Sequence, residues 1–105
     1  MPILVMCQYS DNAPELSKTH LQAHLDYVEA VVAMICVAGP LGQSIDAMKN
    51  ETHDGRCFIF DTDDISIARK LLDHDPYSKA GVYSQVAFAR FTADAGHWVG
   101  GVSWK

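Results

Sequence analysis

Two residues of this chain are of types that move protons: His24, in the stretch HLQAHLDYV (20–28), and Asp75, in LLDHDPYSKAGVY (71–83). A free imidazole titrates at about 6.5, so a histidine held beside a reacting group can act as general base or general acid. That role needs a partner that fixes the ring tautomer and stabilises the imidazolium, and a carboxylate is the usual one. The opposing reading of His24 is a neutral core residue with one ring nitrogen bonded to a carbonyl. Asp75 precedes Pro76, which biases it out of the helical conformation and fixes its place at a helix end. The same Asp–Pro pair also reads as a plain helix stop. Spacing alone permits the two side chains to meet and does not bring them together.

The elements that must position them follow from periodicity. ILVMCQY (3–9) is a continuous apolar run and reads as a buried strand. Ser10, Asp11, Asn12 and Pro14 then signal a turn and a helix start, and a helix is expected from about Pro14 to Ala33. Its apolar stripe is Leu21, Leu25, Val28, Val32 and Ile35, at helical intervals. His24 stands three after Leu21 and four before Val28, so it leans toward the buried face. ICVAGPL (35–41) reads as a second strand ended by Gly39–Pro40 and Gly42, residues 43–54 as mainly loop, and GRCFIFDT (55–62) as a third strand. DDISIARKLLDHD (63–75) begins with acids and ends with Lys70 and His74, charges that suit a helix dipole; Ile65, Ala68, Leu71 and Leu72 give it an apolar face and Pro76 stops it. VYSQVAFARF (82–91) is the fourth strand, followed by a Gly-rich tail with two tryptophans, TADAGHWVGGVSWK.

The order β-α-β-β-α-β suits a ferredoxin-like α+β sandwich of four antiparallel strands with two helices on one face. The 105 residues make one domain, a core of about 1–91 and a tail of 92–105. Strands 3–7, 35–38 and 57–60 are apolar at nearly every position, whereas a strand with one wet face should alternate. Two helices cover one sheet face, so the other needs a cover. A second copy packed sheet to sheet is the economical choice, and the tail is the alternative.

Composition narrows the function classes. A formal net charge of −5 without any basic run argues against nucleic acid. No stretch reaches transmembrane length, and MPILVMCQYS lacks the basic start of a signal peptide. Cys7, Cys36 and Cys57 are odd in number, far apart and set in apolar runs, which points to reduced thiols and a cytoplasmic location. His20 and His24 at i,i+4 resemble half a zinc site, with His53, His74 or His97 as conceivable third ligands, but the glutamate of HEXXH is replaced by Leu21. No metal is expected. GPLGQS has too few glycines, wrongly spaced, for a phosphate loop, and no dinucleotide fingerprint exists, so no cofactor is expected. Arg90 stands among apolar neighbours in the last strand, a place for a strand end or a contact with an acidic ligand.

Four pieces, AHLDYV (23–28), VAGPLG (37–42), DGRCFIF (54–60) and DPYSKAGVY (75–83), in this order and spacing, resemble the YciI-like family of small dimeric α+β barrel proteins. The histidine of that family's "HL" motif falls on His24 and the aspartate of its "DPY" motif on Asp75. The resemblance implies a His–Asp pair at a pocket, homodimers and a ferredoxin-like fold. It implies no single reaction, although one branch of the family dehydrochlorinates chlorinated hydroxyhydroquinones and muconolactone isomerase shares the broader fold. Where the family often carries an arginine, three positions before the histidine, this chain has Leu21.

The expected function is therefore proton transfer on a small organic substrate, in elimination or isomerisation. His24 would be base or acid, Asp75 its orienter, Gly39 and Pro40 the pocket rim, and Tyr9 and Tyr77 aromatic walls. The alternative is a metabolite-binding dimer without turnover. Expected partners are a small-molecule ligand and a second copy of the chain, in a homodimer or higher oligomer, with neither nucleic acid nor membrane.

Overall fold

The computed structural model describes residues 1–42 and 54–104. β1 (Ile3–Tyr9) leads into α1 (Ala13–Ala30), a 3-10 turn (Val32–Met34), β2 (Ile35–Leu41), β3 (Gly55–Phe60), α2 (Ile65–Asp73), α3 (Pro76–Ala80) and β4 (Tyr83–Arg90). A small hairpin, β5 (Ala95–Gly96) and β6 (Gly101–Val102), ends the chain. The four long strands form one antiparallel sheet in the order β2-β3-β1-β4, which is the ferredoxin-like arrangement the element order implied.

Strand register sorts the side chains between two faces. Val5 stands opposite Phe58 and Phe88, and Phe58 opposite Ala38; this row faces the helices. Ile3, Val5, Cys7, Phe58 and Phe60 are buried there against Ala68 and Leu72 of α2. The intervening residues form the other face, with rows Ala89–Leu4–Ile59–Val37 and Ala87–Met6–Cys57–Gly39. No element of the described chain covers it, and Met6 and Val37 stay 47% and 40% exposed. The apolar character of the strands thus has two separate causes: one face is core, and the other is a bare apolar surface.

Several boundaries differ from expectation. α1 ends at Ala30 rather than Ala33, because the β-branched Val31 and Val32 disfavour a further α turn and the chain tightens into the 3-10 turn that feeds β2. Its inward face keeps only part of the expected stripe. Val28 and Ile35 pack against the core, but Leu21, Leu25 and Val32 are 47%, 48% and 60% exposed, whereas Ala13, Ser17, His20, His24, Tyr27 and Val31 turn inward. Both sets have helical spacing, and contacts with α2 and α3 choose between them. β2 spans Ile35–Leu41 as expected, with Pro40 inside it opposite Arg56. An edge strand tolerates proline because its missing N–H can face away from the ladder. A bulge between Ile35 and Val37 leaves Cys36 out of register. β3 ends at Phe60, and the expected loop falls almost wholly outside the described residues.

The α2–α3 corner is the feature that positions the site. The Asp64 side chain caps α2 by accepting from the Ser66 N–H at 2.9 Å. Beyond His74, Asp75 is extended (φ −63°, ψ 125°) and becomes the N-cap of a second short helix, with Pro76 in its first turn. Gly81 closes that helix in the left-handed region (φ 83°), where a side chain would be strained. Pro76 thus stops one helix by starting another.

Candidate active site

His24 lies on the inward face of α1 and Asp75 at the α2–α3 corner; they are 2% and 1% exposed. Asp75 Oδ1 lies 2.7 Å from His24 Nδ1. The same Oδ1 accepts from the Tyr77 backbone N–H at 3.0 Å, and Oδ2 accepts from the Tyr83 hydroxyl at 2.9 Å. The carboxylate therefore receives three donors from three directions. Against an ionised carboxylate, which only accepts, His24 Nδ1 is the donor and Nε2 is the ring nitrogen left over. Nε2 is buried and has no hydrogen-bond partner among the described residues. An unpaired polar atom in the interior is costly and therefore informative.

Aromatic side chains hold this pair. The Tyr77 ring lies flat on the His24 ring, with centroids 3.8 Å apart and planes 2° from parallel. Tyr83 meets Tyr77 edge-on and stacks with Tyr9. The Tyr77 hydroxyl donates to Ser17 O at 3.2 Å, and the Tyr27 hydroxyl donates to Leu71 O at 2.6 Å, tying α1 to α3 and to α2 respectively. Burial, then the Asp75 charge, pushes the Tyr83 phenol far above its ordinary range, so it stays a donor. Burial also raises Tyr9, Tyr27 and Tyr77. Cys7 is pushed up to about 12, by burial first and the Asp75 charge second, so it is an inert thiol rather than a nucleophile.

Beside this cluster is an open hollow of about 1020 Å³ at the C-terminal end of β1. Tyr9 and Tyr77 line it, together with Ser17, Met6, Gln85 and Leu41. His24 and Asp75 do not; His24 lies against the face of the Tyr77 ring, and Asp75 beside it. Gly39 and Pro40 are not lining residues either, because β2 lies two strands from β1 and reaches the hollow only through Leu41. Leu21, at the place of the family's arginine, is on the outward side of α1. Among the described residues no group of three or more potential metal ligands gathers, and His53 lies outside them.

Two residues of this cluster went unassigned in the sequence. Tyr83, the last residue of DPYSKAGVY, supplies the third bond to Asp75. Arg56 lies opposite Cys7 on the helix-facing side of the sheet, its guanidinium 5.0 Å from the Phe58 ring centroid. Arg56 Nε is buried without a hydrogen-bond partner among the described residues. The alternation Arg56, Phe58, Phe60 carried that signal, since period-two spacing puts all three on one face.

The ferredoxin-like sheet and the corner that holds Asp75 under His24 define an α+β protein of the YciI type. Residues 1–92 match the YCII-related domain, and the chain belongs to that family. Its fold is similar to that of the 5-chloro-2-hydroxyhydroquinone dehydrochlorinase of Burkholderia phenoliruptrix, solved in complex with 2,5-dihydroxybenzoquinone. That match has a TM-score of 0.76 at 21% identity and covers 93% of this chain and 98% of that one. A hypothetical Arabidopsis thaliana protein aligns with a TM-score of 0.50 at 12% identity over 90% of this chain and 88% of its own. None of the curated proteins matches the sequence. No helix among the described residues is long and apolar enough to cross a membrane.

Proposed function

We propose that this chain is a cofactor-independent lyase or isomerase that moves a proton on a small, ring-shaped organic substrate. His24 Nε2 is the acid or base and Asp75 orients it. The observation that carries this reading is the pairing of a ring whose tautomer is fixed by a fully bonded carboxylate with a second nitrogen left without a partner. Such a nitrogen is unengaged and meets a substrate proton once Tyr77 turns aside, and a general base of this kind contributes about 10²–10⁴-fold to a rate. Tyr9 and Tyr77 offer flat apolar walls suited to a ring, and the dehydrochlorinase fold relative holds a quinone. The bare sheet face supports a homodimer packed face to face, which would roof the hollow, because Met6 and Ala87 belong to both. Three free cysteines fit a cytoplasmic location.

One observation favours the second reading, a binding dimer without turnover: His24 stands behind Tyr77 rather than in the wall. Two measurements separate the readings. Binding of 2,5-dihydroxybenzoquinone is followed by calorimetry, and chloride release from 5-chloro-2-hydroxyhydroquinone is followed against pH. The enzyme reading expects release that falls at least about a hundredfold in His24→Ala while the protein stays folded. Binding with no turnover at any pH would establish the binding module instead.

A further inference from the structure

The tail has structure but no seat. Ala95 and Gly96 pair with Val102 and Gly101, and Ser103 N donates to Asp94 O at 2.8 Å, closing a hairpin around the 3-10 knuckle His97–Val99. Gly96, Gly100 and Gly101 have φ of 138°, 85° and 121°, which side-chain-bearing residues rarely adopt, so glycines set the shape of the knuckle. What the knuckle presents is apolar: Trp98 is 81% exposed, Val99 55%, and Trp104 beyond the hairpin 67%. From Phe91 to Trp104 every residue but Gly101 is exposed. A shaped element with an uncovered apolar tip is a recognition surface rather than a loose end.

The same chain offers a place that such a tip fits. The hollow opens on the bare sheet face and is lined by Tyr9, Tyr77 and Met6, and none of its lining residues comes from the tail. Nor does the tail start near it. Phe91 N bonds Pro2 O at the beginning of β1, whereas the hollow lies at the end of that seven-residue strand, roughly 20 Å away at the usual rise per residue. When two copies pack sheet to sheet with strands opposed, the start of β1 in one lies over the end of β1 in the other. That exchange brings each tail to the hollow it cannot close in its own chain.

We propose that the 92–104 arm of one copy closes over the Tyr9–Tyr77 hollow of a second copy, with Trp98 as the covering side chain. This rests on the face-to-face dimer, and the test separates the two. Both tryptophans of the chain are in the arm, so intrinsic tryptophan emission reports on it alone. Acrylamide quenching of the full-length protein is measured across a dilution series, with the mass followed by sedimentation velocity. The expected result is a quenching constant several-fold lower in the dimer than in the dissociated chain. In a Cys36→Ser, Cys57→Ser background, a Val99→Cys chain mixed with an Asp11→Cys chain, whose residue 11 lines the hollow, should yield an inter-chain disulfide under mild oxidation. A dimer with freely quenched tryptophans and no such link overturns the arm exchange and leaves the dimer standing. A monomer at every concentration overturns both.

Discussion

Tyr77 lies face to face with His24, ring on ring at 3.8 Å, and is the side chain that separates the imidazole from the hollow. It is therefore both wall and door. Tyr77→Phe keeps the stack and loses only the bond to Ser17 O, a cost of about 1 kcal/mol. Tyr77→Ala removes the ring and costs about 3–5 kcal/mol. Diethyl pyrocarbonate, followed by peptide mass mapping, should modify His24 slowly in the wild type and in Tyr77→Phe, and readily in Tyr77→Ala. Equal rates in all three would show that Tyr77 shields nothing.

Asp75 holds three donors, and its variants should separate by how many they strand. Asp75→Ala leaves His24 Nδ1, Tyr77 N and the Tyr83 hydroxyl without their acceptor, a loss of about 3–5 kcal/mol by analogy with a broken buried pair. Tyr83→Phe removes one bond to a charged acceptor and should cost about 1.5–3 kcal/mol. Urea denaturation ranks them, and ¹⁵N shifts of the His24 ring should show a single tautomer in the wild type and a mixture in Asp75→Ala. A single unchanged tautomer in that variant would mean that something other than Asp75 fixes the ring.

Gly55 is required by closeness rather than by φ. A Cβ built on it would overlap the carbonyl oxygen of Cys7, a backbone atom with no room to yield inside the β1–β3 ladder. Gly55→Ala should separate those strands where the core and the hollow meet. The expected outcome is a loss above about 3 kcal/mol or failure to fold, read from soluble yield and thermal midpoint. A variant of wild-type stability would contradict that strand spacing.

Alkaline pH should loosen the fold before it affects exposed groups. Cys7 is raised from 9.0 to about 12 and Tyr83 well above its ordinary 10.0, both chiefly by burial. For a raised acid the native state keeps the proton that the unfolded chain releases. Its contribution is complete below the unfolded value and is lost as pH rises through the folded one. Stability should thus fall from about pH 9 upward, first through Cys7 and above about pH 10 through Tyr83 as well. In Cys7→Ala the decline should still begin near pH 9, through Cys36 and Cys57, which burial also raises, but it should be shallower. Thermal midpoints between pH 7 and 12 give the comparison, and an identical alkaline limb in both proteins would remove Cys7 from the account.

The sequence was most legible where two signals agreed. Continuous apolar runs bounded by turn residues located β1 and β3, and element order led to the sheet. The phase of α1 was legible in part: His24 and Val28 lie inward as read, but Leu21, Leu25 and Val32 face out, because a stripe through Ser17, His20 and Val31 has the same period. Only the bonds His24 makes to Asp75 and Tyr27 makes to Leu71 decide between them. α3 was hidden in Asp75–Pro76, since the residues that end one helix are those that begin the next. The fold thus supplies the contact between His24 and Asp75 that spacing left open, and it sets both residues behind the wall of the hollow rather than in it.

Pro40 bears on a hazard that comes with any open sheet. β2 is an outer strand, and its free rim would otherwise be a template for chain-to-chain strand addition and fibril growth. A proline that offers no donor and the irregularity near Cys36 interrupt that rim twice within seven residues. Edge-on strand addition is thereby interrupted at that rim, so replacing this imino acid would trade a safeguard for a longer ladder.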